Sequence, residues 1–129
     1  MIGIHTAYNH GEATAMAVNL AELSWELGCE PGLLAHGPRA QVVYPEWDAR
    51  VQSESKVDIQ EWLVRSSHVV WTSLQPTLLA RSRRLKRKNI LLALWHQLRE
   101  EDSEQLEQFD SIVCPSLACH RLLKEDWGL

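Results

Sequence analysis

The stretch IGIHTAYNHGEATAMAVNLAELSWELG, Ile2 to Gly28, decides how the rest of the chain is read. Ile2, Ile4 and the β-tolerant His5 and Thr6 form a short strand-like run that ends in the turn Tyr8-Asn9-His10-Gly11. Ala13, Ala17, Leu20, Leu23 or Ser24, and Leu27 then recur at helical spacing, and Gly28 stands where a left-handed residue ends a helix. A strand that delivers a glycine-bearing turn to a helix N-terminus makes a donor-rich corner, because the free N–H groups of the first turn and the positive dipole end both face it. An anion or a sugar hydroxyl suits such a corner.

Outward from this unit the pattern repeats. Gly32 to His36 reads as a second strand, followed by an irregular stretch, Gln41 to Val51, with a weak edge strand that Pro45 interrupts. Asp58 is the expected N-cap of a short amphipathic helix carrying Ile59, Trp62 and Leu63. His68 to Ser73 has the continuous apolar look of a strand covered on both faces, Pro76 suits the first turn of a helix over Gln75 to Lys88, and Asn89 breaks it. Ile90 to Trp95 is the next strand; a polar helix over Glu100 to Gln108, a strand over Ser111 to Cys114 and a last helix over Leu117 to Trp127 follow. This alternation predicts an α/β fold: a doubly wound, mainly parallel sheet with helices on both faces. Ligands in such sheets sit at the carboxyl ends of the strands, where this reading collects Tyr8 to Glu12, His36, Thr72 to Gln75, His96-Gln97 and Pro115-Ser116.

The 129 residues form one domain, 1–129, large enough to bury a core without disulfides. Three cysteines, Cys29, Cys114 and Cys119, contain no CxxC pair and point to a reducing, cytoplasmic setting. A net charge of −4 argues against nucleic-acid binding. Six of the 13 basic residues nevertheless fall together, at Arg81, Arg83, Arg84, Lys86, Arg87 and Lys88. A dinucleotide fingerprint needs three glycines where this turn has only Gly11, and a P-loop and a GxSxG elbow are absent.

Three segments carry a resemblance. Asn9-His10-Gly11-Glu12-Ala13 with Val18-Asn19-Leu20-Ala21 and Leu27-Gly28, then Leu94-Trp95-His96, then Asp110 to Ser116 running on to Leu123 and Gly128, occur in this order along the chain. Together they resemble the N-terminal, acceptor-side half of GT-B glycosyltransferases, specifically the retaining group that includes sucrose-phosphate synthases. The resemblance implies a Rossmann-like domain, a nucleotide-sugar donor as co-substrate, no metal, and a sugar or glycolipid acceptor. It also implies that the donor pocket belongs to a further C-terminal domain or partner chain that residues 1–129 do not encode, so that whether this chain alone is an enzyme is left open. His96 takes the catalytic position, hydrogen-bonding a sugar hydroxyl or stabilising oxocarbenium charge, and Asn9, His10, Gly11, Glu12, Ser73 and Ser116 line the substrate or donor side.

Each candidate has a plainer reading beside it. Gly11 serves either a positive-φ turn or a site turn; Glu12 either complements the dipole or meets ligand; Ser116 either caps the last helix or binds. The basic run either ends a helix favourably or meets an anionic membrane face. His5, His36 and His120 show no partner pattern, and Cys114, Cys119 and His120 lack a fourth metal ligand at suitable spacing. The competing functional classes are a stand-alone binding domain and a partner that docks on another chain.

Overall fold

The computed structural model describes residues 1–37, 43–94 and 98–128. Six strands, β1 (Ile2–Thr6), β2 (Pro31–Ala35), β3 (Gln52–Ser53), β4 (His68–Trp71), β5 (Lys88–Leu92) and β6 (Ser111–Val113), form one all-parallel sheet in the order β3-β2-β1-β4-β5-β6. That is the doubly wound, Rossmann-like order, in which the chain winds one way from β1 to β3 and the other way from β4 to β6. Among the described residues the α-helices are α1 (Glu12–Glu26), α2 (Pro45–Asp48), α3 (Ile59–Arg65), α4 (Pro76–Arg84) and α5 (Ser103–Leu106) between strands, and α6 (Leu117–Arg121) after the last one. Helices of the two halves lie on opposite faces, as crossovers of a single hand require.

The strand periodicity of two sorts the core accordingly. Ile4, Leu33, Ala35, Val70 and Leu92 pack with Ala17, Val18 and Ala21 of α1 and Trp47 of α2. Leu34, Val69, Trp71, Leu91 and Ala93 pack on the other face with Trp62, Leu63, Leu79, Leu106, Cys119 and Leu123. Gly3 lets α3 approach β1 closely, since a Cβ there would lie 2.8 Å from the Trp62 ring and 2.6 Å from Ser66 Oγ.

Several boundaries differ from the sequence reading. The edge strand is at Gln52–Ser53, after the Pro45 segment, which is instead the short helix α2. The buried stripe of α1 is Thr14, Ala17, Val18, Ala21 and Ser24, while Leu23 and Leu27 are exposed. Small residues bring the helix close to the sheet, and its bulkier flank, Met16, Leu20 and Leu23, borders an open apolar groove over Val70, Ile90, Leu92 and Val113. Asn89 is no helix breaker: α4 ends at Arg84, Lys86 takes the left-handed turn at φ 58°, and Asn89 lies buried within β5. Its Oδ1 accepts from Trp71 Nε1 at 3.0 Å and from Ser82 Oγ at 2.6 Å, and its Nδ2 donates to the Arg87 carbonyl at 3.0 Å. Asp58 does cap α3, accepting from the Glu61 amide at 3.2 Å. The polar helix shortens to a 3-10 turn, Glu100–Asp102, leading into α5, and α6 widens into a π-type turn at Leu122–Asp126. Among the described residues no helix is long and apolar enough to cross a membrane.

Candidate functional site at the carboxyl edge

Strand order reverses between β1 and β4, so the loops leaving them run to opposite faces, at the switch point where doubly wound sheets take their ligands. The turn Asn9-His10-Gly11 leaves β1 and is exposed. Buried Thr14, in the first turn of α1, holds it: Thr14 Oγ1 donates to the Ala7 carbonyl and accepts from the Asn9 amide at 3.0 Å. Asn9 Oδ1 in turn accepts from the Gly11 amide at 2.7 Å. Gly11 is extended, at φ −81° and ψ 172°, so the positive-φ reading does not hold. A Cβ there would lie 2.8 Å from Asn9 Oδ1, so a larger residue would displace that exposed side chain and its bond to the residue 11 amide. Glu12 is the first residue of α1, where the helix dipole favours a carboxylate.

Ser73 lies in the loop after β4, and its Oγ accepts from Gln75 Nε2 at 3.1 Å. The topology therefore brings residues 9–12 and Ser73 to the ends of neighbouring strands. Ser116 follows β6, two strands beyond β4, and caps α6 by accepting from the Cys119 amide at 3.1 Å. His96, and with it the expected pairing of Gly11 and His96 across one crevice, lies outside the described residues.

A second group at the same edge escapes the sequence reading. His5 is the penultimate residue of β1; His36 extends β2, its amide donating to the Thr6 carbonyl at 2.9 Å; Glu54 extends β3, its amide donating to the Ala35 carbonyl at 3.0 Å. Register pairs His5 with Leu34 and Leu34 with Gln52, so two residues on, His36 and Glu54 fall on the same face as His5. Their side chains converge. Glu54 Oε2 lies 3.0 Å from His5 Nε2 and 3.0 Å from His36 Nδ1. An ionised carboxylate only accepts, so both ring nitrogens facing it carry their protons.

The surroundings grade from dry to wet. The His5 side chain is 0% exposed, Glu54 27% and His36 45%. The His5 ring sits 5.1 Å from the Trp71 ring and 5.4 Å from that of His36. Burial pushes the His5 pKa below its ordinary value, outweighing the upward pull of Glu54, so the ring is neutral at neutral pH. Burial pushes the Glu54 pKa up, but the hydrogen bonds and charges of the two histidines bring it below the usual value, so the carboxylate is ionised. Among the described residues, His5 Nδ1 is the one buried side-chain nitrogen or oxygen without a hydrogen-bond partner. The signal that could have found this group is parity: in a sheet ordered β3-β2-β1, one residue near each carboxyl end shares a face.

The other features of the sequence fall away from this edge. Cys119 is buried, its thiol pushed up to about 11 by burial and by neighbouring Cys114, and Sγ points to the Ala93 carbonyl at 3.6 Å, which suits packing rather than metal binding. The basic run gathers at the opposite, amino edge of the sheet, at the end of α4 and the start of β5. There Arg87 Nη1 donates to the Val64 and Ser66 carbonyls at 3.2 and 3.4 Å, closing the C-terminal end of α3. Trp25 is exposed, with Arg50 stacked between it and Trp47 at 5.1 and 5.3 Å. No family model, no curated protein and no solved structure matches this chain.

Proposed function

We propose that the chain binds a hydroxyl-rich ligand at the carboxyl edge between β1 and β4, as the acceptor-side half of a nucleotide-sugar-dependent glycosyltransferase. The observation that carries this reading is the Asn9-His10-Gly11 turn, tied down by Thr14 at the point where strand order reverses. A held turn at the head of a 15-residue helix, with the His10 and Glu12 side chains exposed, offers hydrogen bonds to a sugar or its phosphate with little ordering cost. The three sequence segments described above add the resemblance to that family, with His96 in the catalytic position. On this reading the donor pocket is completed by another domain or chain, and Arg81, Arg83, Arg84, Lys86, Arg87 and Lys88, at the amino edge away from the acceptor site, would make only a peripheral contact with an anionic membrane face.

Amide and side-chain nuclear magnetic resonance titration with nucleotide sugars and with simple glycosides tests the reading. Shifts at residues 9–12 and 73 and at His96 are expected, weak for the nucleotide alone. Titrations that leave all of them unmoved refute it. A second reading, a domain that docks on a partner chain, is favoured by the apolar groove of Leu20, Leu23, Val70, Ile90, Leu92 and Val113, where Leu23 is 50% and Val113 48% exposed.

A further inference from the structure

The structure assigns His5, His36 and Glu54 as a divalent transition-metal site, open on its solvent side, distinct from the glycine turn. Two imidazoles and one carboxylate are the donor set that holds zinc with a free fourth position, or ferrous iron with open positions. One ligand atom from each of the three lies within 4.8 Å of the other two. A tetrahedral zinc ion with bonds near 2.1 Å separates its donors by about 3.4 Å. The two contacts to Glu54 are already 3.0 Å, so a bound ion asks each to open by a few tenths of an ångström.

The three residues come from three adjacent strands of one sheet, and their backbones are fixed by the ladder extensions at Thr6 and Ala35. Such placement holds donors more firmly than loops do. A ring that is neutral and a carboxylate that is charged are in the protonation states a cation needs. On binding, each imidazole proton moves to the ring nitrogen facing away from Glu54; for exposed His36 water accepts it. For His5 that nitrogen is Nδ1, which has no acceptor among the described residues. A missing bond of this kind weakens metal affinity by about 10–100-fold, so the site is of moderate rather than extreme affinity. Its open position faces the exposed flank of His36 and Glu54, where a water or a ligand oxygen would complete the shell.

Titration of the full chain with zinc(II) by calorimetry, and with cobalt(II) by visible absorption, tests the site. One equivalent is expected to bind, with the d–d intensity of a tetrahedral nitrogen and oxygen shell. His36→Ala and Glu54→Gln should each weaken binding by at least 10-fold, with circular dichroism reporting that both variants fold. Cys29→Ser should leave it unchanged. Thiolate-to-cobalt charge transfer, or binding indifferent to both His36→Ala and Glu54→Gln, overturns the assignment. So does absence of one-to-one binding by the wild-type chain, which would leave a hydrogen-bonded His–Glu–His group alone.

Discussion

Replacing Thr14 with valine keeps the shape of the side chain and removes only its hydroxyl, which tests how the site turn is held. In the native chain that hydroxyl serves two backbone groups, the Ala7 carbonyl and the Asn9 amide, and Thr14 itself is 0% exposed. A buried group left without its partner costs about 1–3 kcal/mol. Asn9 is exposed, so its amide recovers water, whereas the half-buried Ala7 carbonyl recovers less. The expected loss is therefore about 2 kcal/mol, a factor of about 30 in the folding equilibrium and a sizeable part of a total of about 5–15 kcal/mol. Thr14→Ser keeps the hydroxyl and loses one methyl, for about 1 kcal/mol. Urea denaturation with an unchanged slope reports both values, and the amide exchange of Asn9 and Gly11 reports the turn itself. If the valine variant is as stable as the serine variant, and the turn amides are equally protected in both, the hydroxyl is not what holds the turn.

Asn89→Ala should cost more, about 3–5 kcal/mol, because it strands the buried Trp71 Nε1–H and Ser82 hydroxyl as well as opening a cavity, and a double-mutant cycle with Ser82→Ala should show the two residues strongly coupled. Metal-free protein should lose stability as pH falls below about 6.5. The unfolded chain takes up a proton on His5 there while the folded chain, with a depressed pKa, does not. Glu54, also depressed, acts in the same direction at lower pH, its stabilisation present above about 4.5 and lost as pH falls through its folded value. Urea midpoints between pH 7.5 and 5 should thus decline for the native chain and decline less for His5→Gln; equal slopes would exclude His5 as the source.

The alternation of strand and helix was legible because its elements announce themselves locally: Pro76 opens a helix, Asp58 caps one, and the apolar run beginning at His68 is flanked by turns. What misled were features decided by tertiary packing. In α1 two apolar stripes lie side by side, and periodicity cannot say that Ala17, Val18 and Ala21 face the sheet in place of Leu23 and Leu27. Asn89 reads as a breaker until Trp71 and Ser82, 18 and 7 residues away, are seen to satisfy it inside a strand. His5, His36 and Glu54 are each unremarkable in sequence. Only the order β3-β2-β1 makes them neighbours, and two residues of edge strand are too few to reveal that order in advance.

The sheet narrows toward its margins: β3 has two residues and β6 three, against four or five in the strands between. Outer strands so brief expose few unpaired amides and carbonyls, which denies another chain a template for extending the ladder. Self-association by backbone addition is blunted at both rims, so the short outer strands act as a guard against ladder growth from either side.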